Sequence, residues 1–259
     1  MHSSCHWPAQ VPPLLIALLS DIHSNIEALD ACMAHAAEQG AGHVAFLGDL
    51  VGYGADPEAV IEVISSRAAQ GAIVIKGNHD EAVERPARYM NDTAKEAIEW
   101  TSKVLSKEHR QYLASLPLTG RDNAAFLVHA SAAAPERWDY VDSVSMAQRS
   151  AEAAQATYIF SGHVHEQALY FEAAGGKWSA YRPVPGTPVP VPLHRRWVAI
   201  VGSVGQPRDG KAAAGYALFD SIRARLTFHR VSYNNFAAAK KIRKAGLPEM
   251  LAYRVERGI

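Results

Sequence analysis

The sequence predicts an α/β protein. Short apolar runs alternate with helix-period segments through the first two-thirds of the chain, the pattern of strands layered with helices. Helix-start signals fall between the runs, at Ser24 and Asp56-Pro57. Beyond His165 the alternation gives way to closely spaced strand-like runs and a proline-dense stretch.

In chain order, Leu14–Leu19 reads as a first buried strand. Ser24 is then expected as an N-cap, with Glu27 completing a capping box, and the helix runs to about Gln39 before Gly40. Val44–Leu47 is a second strand. Asp56 followed by Pro57 is a cap with proline at the first helical position, opening a helix to about Gln70. Ile73–Ile75 is a third strand, and Asp92–Leu116 is helical in two pieces, with a second capping box expected at Thr93 and Glu96. Phe126–Val128, Tyr158–Phe160, Leu169–Phe171, Trp178–Tyr181 and Trp197–Val201 are short strands. Pro183, Pro185, Pro188, Pro190 and Pro192 favour an extended surface loop, because proline cannot donate to a sheet ladder. Tyr216–Asp220 and Ala224–Val231 form a terminal hairpin, and Ala237–Tyr253 is helical with a break at Gly246-Leu247-Pro248.

Composition narrows the functional classes. The 259 residues are 48% apolar, and 26 basic side chains balance 26 acidic ones. No basic excess marks a nucleic-acid footprint, so stable nucleic-acid binding is not expected. The run Leu14–Leu19 is far shorter than a membrane span, and no lysine or arginine precedes it as in a secretory signal. Two cysteines, Cys5 and Cys32, do not make a disulfide framework. The expectation is a cytoplasmic protein with a disordered leader at positions 1–12 and a single domain over 13–259. A homo-oligomer is left open.

Five segments place metal-ligating side chains just after a strand-like run: Asp21-Ile22-His23, Gly48-Asp49, Gly77-Asn78-His79-Asp80, His129, and Gly162-His163-Val164-His165. In α/β folds such residues converge where the carboxyl ends of the strands meet. Residues two apart on extended chain point the same way, so Asp21 with His23 and His163 with His165 approach one cluster from two sides. The donors are oxygen and imidazole without thiolate, which suits manganese, iron, zinc or nickel. The remaining histidines, His35 and His229 among them, lack this context and read as surface or incidental. No Gly-x-Ser-x-Gly elbow is present, and Cys32 sits on an expected helix without a partner.

These blocks resemble the calcineurin-like metallophosphoesterases, whose pattern runs D-x-H, G-D, G-N-H-D/E, a lone H and G-H-x-H. Gly48 to Gly54, Gly202 to Gly210, Glu99-Trp100-Thr101 and Ala245-Gly246-Leu247-Pro248 look like a small bacterial and archaeal branch. Two departures are Ala130 after the lone histidine, where glycine is usual, and Ile200-Val201 where Asn-Pro often precedes Gly-Ser. The resemblance implies a four-layer α/β/β/α sandwich of two mixed sheets flanked by helices, with a dimetal site at the strand carboxyl ends. It implies that Asp21, His23, Asp49 and His165 hold one divalent transition metal, and Asp49, Asn78, His129 and His163 the other. It implies attack of a metal-bridging hydroxide on a small phosphate ester, phosphodiester or nucleotide-like. Phosphomonoesterase, protein phosphatase and dinucleoside polyphosphate hydrolase are the alternatives within the family, and a non-catalytic scaffold is the alternative outside catalysis. His79 is the expected general acid or electrostatic stabiliser, Asp80 its orienting carboxylate, and Asn78, His79, Ser203 and Arg208 the expected substrate contacts. Specificity is expected in the loops Val51 to Gly54, Arg85 to Asn91, Arg137 to Asp142 and the proline-rich stretch.

Overall fold

Alternation within each strand sets the layers. In β1 (Leu15–Leu19), Ile16 and Leu18 face one way and Ala17 and Leu19 the other, and all four are buried. A strand buried on both faces must lie between two packed layers. A computed structural model, which describes residues 15–85 and 90–259, shows what those layers are. The expected leader, Leu14 and Cys5 lie outside the described residues.

The first sheet adds β2 (His43–Phe46) and β3 (Ile73–Val74) parallel to β1 on one side. The second sheet begins with β4 (Thr119–Asp122), β5 (Ala125–Val128), β6 (Tyr158–Ser161), β7 (Gln167–Glu172) and β8 (Trp178–Tyr181). Four more strands complete the two sheets: β9 (Val189–Pro190), β10 (Trp197–Val201), β11 (Ala214–Asp220) and β12 (Arg225–Val231). The orders are β3-β2-β1-β11-β12-β9 and β4-β5-β6-β10-β7-β8. Both sheets are mixed: β5, β6 and β10 run parallel, while β11 is antiparallel to β1 and β7 to β10. Ile16, Leu18, Phe160, Ala199, Phe219 and Phe228 fill the space between the sheets.

Helices cover the outer faces. Against Leu19 and Phe46 pack α1 (Ile26–Glu38), through Leu29 and Cys32, and α2 (Pro57–Ala69), through Val60, Ile61 and Ile64. The site strand ends are followed by a single-turn α3 (Asn78–Ala82), then α4 (Asp92–Val104) and α5 (Lys107–Ser115). Against Ile159, Val198 and Ile200 lies α6 (Val144–Ala154), through Ala147, Ala151 and Ala154. The closing pair, α7 (Asn235–Lys244) and α8 (Glu249–Arg257), packs through Ala239, Ile242, Leu251 and Val255 against Ala97 and Ile98 of α4 and against Tyr53. The result is the expected α/β/β/α sandwich. Among the described residues no helix is long and apolar enough to cross a membrane.

Several local expectations differ from the structure. The first helix is capped by Asn25, whose Oδ1 accepts from Ala28 N–H at 3.1 Å, not by Ser24. Ser24 stands in left-handed backbone (φ 52°) with its N–H donated to Leu50 O at 3.0 Å, so it belongs to the preceding loop. Glu27 turns to Lys241 instead of closing a capping box. Asn91, not Thr93, caps α4. The structure adds β4 and α6, which the sequence pattern did not announce, and the proline-rich stretch contributes β9, an edge strand paired with β12. His35 and His229 are not incidental surface groups: His35 bonds the Tyr216 hydroxyl at 2.7 Å, and His229 stacks on Tyr216 with ring centroids 5.0 Å apart.

The loop after β10 is laced to the loop after β1. Val204 N–H donates to Ser20 O, Gly205 N–H to Asp21 O, and Asn25 Nδ2 to Gly205 O. A Cβ at Gly205 would collide with the carbonyl of Ile22. Gly205→Ala is therefore expected to destabilise the protein by about 1–3 kcal/mol, as overpacking against rigid backbone does. Urea unfolding measures this, and a stability equal to wild type would show that the two loops separate freely.

Candidate metal centre

Every expected donor sits just beyond a strand. Asp21 and His23 follow β1, Asp49 follows β2, Asn78 follows β3, His129 follows β5, and His163 and His165 follow β6. The carboxyl ends of both sheets open to the same side, so the five loops meet there. Asp21, His23, Asp49 and His165 bring one ligand atom each within 4.8 Å of one another, and Asp49, His129 and His163 do the same. Asp49 belongs to both groups. Asn78 joins the second, its Oδ1 lying 3.2 Å from His129 Nε2. All seven side chains are buried.

The backbone makes this convergence at a cost. Asp21, His23, Asp49, His163 and His165 all stand in left-handed conformation, with φ between 48° and 67°. Such positions are sparsely populated by residues other than glycine and cost on the order of 1–3 kcal/mol each when strained. Two glycines provide clearance for the backbone. A Cβ at Gly77 would overlap the Asp49 carboxylate, and one at Gly162 would overlap Ser20 Oγ and the Asp21 carboxylate.

Hydrogen bonds orient the donors. His23, His129 and His165 each turn Nδ1 to a backbone carbonyl, at Val51 (3.2 Å), Leu47 (2.8 Å) and Gln206 (2.6 Å). A carbonyl only accepts, so Nδ1 carries a proton and Nε2 faces the cluster. Each carboxylate is held by a backbone donor and turns one oxygen toward the histidines. Asp49 Oδ1 accepts from His79 N–H at 2.8 Å while Oδ2 lies 3.3 Å from His129 Nε2. Asp21 accepts from His163 N–H with Oδ2 at 3.0 Å and Oδ1 at 3.2 Å, and Oδ1 also lies 3.1 Å from His165 Nε2.

The donor set fits a pair of cations. His23 Nε2 and His165 Nε2 are 3.1 Å apart with both lone pairs facing inward, an arrangement that repels unless a positive charge lies between. Burial and the neighbouring His129 push His163 down to about 3, so it is a neutral imidazole. Burial opposes ionisation of Asp49, yet the surrounding histidines outweigh it and hold the carboxyl well below the usual range. Burial likewise opposes protonation of His129, but Asp49 draws it up to about 9, so its Nε2 holds a proton that a bound cation would displace. Buried anions among imidazoles are what a divalent metal requires of its ligands.

Three of the expected roles change. Asp80 does not orient the His79 ring. Its Oδ1 accepts from Leu50 and Val51 N–H at 2.9 and 3.2 Å, and its Oδ2 from Gly77 N–H at 2.8 Å. It ties the Asp49 loop to the Asn78 loop. Among the described residues the buried Nδ1 of His79 has no hydrogen-bond partner. Ser203 does not reach the cleft: fully buried, it donates to Asp21 O at 2.9 Å and accepts from Gln206 N–H. The proline-rich stretch does not line the cleft. The cleft, of about 140 Å³, is walled by Asp49, Asn78, His79, His163, His165 and Arg208, by Tyr53, by Met90 and Asn91, and by Arg137, Trp138 and Tyr140. Residues 86–89 of the expected specificity loop lie outside the described residues. Trp138 and Tyr140 were foreseen only as part of a loop, because nothing local marks which of its side chains turns toward the metal ligands.

The two mixed sheets with a buried Asp/His cluster at their carboxyl ends define a metallophosphoesterase-type site. The chain belongs to the calcineurin-like phosphoesterase superfamily, whose domain model matches residues 14–223. It is 34% identical over 257 residues to an uncharacterized protein of Methanocaldococcus jannaschii, an alignment covering 93% of this chain and 97% of that one. Among solved structures, a metallophosphoesterase from Sphaerobacter thermophilus is 35% identical, with a TM-score of 0.85 over 95% of this chain and 100% of that one. A hypothetical protein of Pyrococcus horikoshii shares the fold at 22% identity, with a TM-score of 0.76 over 95% and 98% of the two chains.

Because Asp80 accepts three backbone N–H groups, Asp80→Asn must turn an amide NH2 toward at least one donor. The fold is expected to persist while metal affinity falls about 10–100-fold, as when an outer support of a metal ligand is lost. Metal titration by calorimetry checks this, and unchanged affinity would mean that Asp80 does not position the donors.

Proposed function

We propose that the protein is a metal-dependent hydrolase of small phosphate esters, with phosphodiesters or nucleotide-like esters as its substrates. The observation that carries this reading is the convergence of seven buried donors from five strand ends, sharing Asp49. Asp21, His23, Asp49 and His165 would hold one divalent cation, and Asp49, Asn78, His129 and His163 the other. Such a pair, when bound, supplies Lewis acidity toward phosphoryl oxygens and lowers the pKa of water toward neutrality.

The chain's own residues supply the rest. Arg208 lines the cleft, and among the described residues its buried Nε has no partner and its guanidinium pairs with no carboxylate. A guanidinium left in that state is a receptor for a phosphoryl oxygen. Asn78 turns Oδ1 toward His129, which leaves its amide nitrogen for the substrate. His79 lines the same cleft, fixed through its backbone N–H to Asp49 and wedged between the rings of Tyr53 and His23 at 4.4 and 4.9 Å. From there it stabilises the departing oxygen by hydrogen-bond donation. The limited volume of the cleft favours a small molecule over a folded phosphoprotein. Retention of every donor favours an enzyme over a scaffold. A cytoplasmic setting is part of the same proposal.

Removal of metal with EDTA is expected to abolish hydrolysis of an aryl phosphodiester, and added manganese to restore it. Activity that survives complete metal removal would sink the reading. Aryl monoester hydrolysis measured alongside tests the preference, and a strong monoesterase without diesterase activity would reverse it. His79→Ala is expected to lower kcat by about 10²–10⁴-fold with metal content unchanged. Near wild-type turnover in that variant would remove His79 from the mechanism.

A further inference from the structure

The loop between β5 and α6 holds an aromatic side chain that the metal chemistry does not use. The loop is anchored on both sides of it. Trp138 is buried, its Nε1 donating to Glu81 Oε2 at 3.1 Å and its ring lying 5.9 Å from that of His129. Ser131 N–H donates to Asp139 O at 3.2 Å, and Val141 is buried. Between these anchors Tyr140 remains 50% exposed. Its ring stacks on the ligand imidazole of His163, with centroids 4.1 Å apart and planes inclined by 18°. One face is therefore covered by a residue of the metal cluster, while the side chain also lines the cleft.

A tyrosine needed only to brace His163 would serve as well fully buried, and half-exposed aromatic area forfeits burial free energy at roughly 25 cal/mol per Å². The exposed face is also rigid, because its neighbours on the chain are pinned, so a ligand ring landing on it pays little ordering entropy. Arg208 stands in the same cleft with a buried Nε that has no partner among the described residues. A phosphoester seated on the Asp49 side, with its charge met by Arg208, has Tyr140 as the flat apolar surface beside it.

We propose that Tyr140 is a stacking platform that selects phosphodiesters bearing a flat ring, aryl or heterocyclic, over ring-free ones. This rests on the phosphoesterase reading above. Stacking of a base or aryl ring on a protein aromatic is worth about tenfold in affinity. Tyr140→Ala and Tyr140→Trp are to be compared with wild type on bis(4-nitrophenyl) phosphate, the methyl ester of adenosine 5′-phosphate, and glycerophosphoethanolamine. Tyr140→Ala is expected to raise KM about tenfold for the ring-bearing esters, leaving kcat, metal content and the KM for glycerophosphoethanolamine unchanged. Tyr140→Trp is expected to preserve or lower KM for the ring-bearing esters. A KM effect confined to the adenosine ester identifies a nucleoside as the recognised ring, and one confined to the nitrophenyl ester a simple aryl group. Equal KM shifts on all three esters, or none, would overturn the proposal. So would a general fall in kcat with loss of bound metal, which would reduce Tyr140 to a brace for His163. Those results leave the phosphoesterase reading standing, whereas wild-type protein inactive on all three esters would overturn both.

Discussion

The structure depends on holding two buried carboxylates and four imidazoles within a few ångströms without letting them relax apart. Alone, such groups are driven outward by desolvation and by the repulsion of lone pairs aimed at one point. The protein resists by bracing each donor through the loop of another. His129 is fixed by the carbonyl of Leu47 and His23 by that of Val51, so both are anchored to the loop that carries Asp49. The same loop is held by Asp80 from the far side, through Leu50 and Val51. His165 is fixed by Gln206, in the loop laced to Asp21. No donor is positioned by its own segment alone, so the cluster behaves as one unit.

That unit needs a rigid base and a cover. The base is the pair of sheets, whose interior is filled by large side chains such as Phe160, Phe219 and Phe228. Burying one such side chain is worth about 1.5–3 kcal/mol, on the scale of the strain stored in one left-handed donor residue. The cover is α7 and α8. Lys241 reaches Glu27 at 2.6 Å and Asp56 at 2.9 Å, linking the last helices to the starts of α1 and α2. The lysine is 41% exposed, so this triad contributes on the order of 1 kcal/mol at most. Ala239, Ile242, Leu251 and Val255, packed toward Tyr53 and α4, hold the cover in place.

How much of this was legible in the sequence follows from how local each signal is. Strand ends and their donors were readable, because Asp21-Ile22-His23 or Gly162-His163-Val164-His165 carries its chemistry within a few residues. The helix α6 was not readable: its buried face is Ala147, Ser150, Ala151 and Ala154, small residues that give a weak apolar stripe and matter only against the sheet, at β6, β7, β8 and β10. The strand β4 reads Thr-Gly-Arg-Asp and owes its existence to pairing with β5. Asn25 displaced Ser24 as the cap because Asp49 and Leu50 draw the preceding backbone into left-handed turns. The roles of Asp80 and Ser203 do not follow from the sequence for one reason. A polar residue beside a ligand is equally able to face substrate or neighbouring backbone, and only the tertiary approach of another loop decides.

This division separates what the fold must keep from what it can vary. The donors are locked to carbonyls and amides of the framework, so changing one disturbs several loops at once. The cleft walls are attached differently. Arg208 bonds Gln206 through its own side chain at 3.0 Å, and Tyr140 touches the cluster only by stacking on His163. Among the described residues neither side chain hydrogen-bonds a donor of the cluster. Side chains in that position are free to change without moving the donors, whereas Asp49 is not, since two sets of ligands and two neighbouring histidines depend on where its carboxylate points. Reaction type is therefore tied to the sheet ends and substrate choice to the loops that wall the cleft. That is the physical reason the ligand motifs declared a phosphoesterase while leaving its substrate to be sought in the exposed face of a single tyrosine and the unpaired nitrogen of a single arginine.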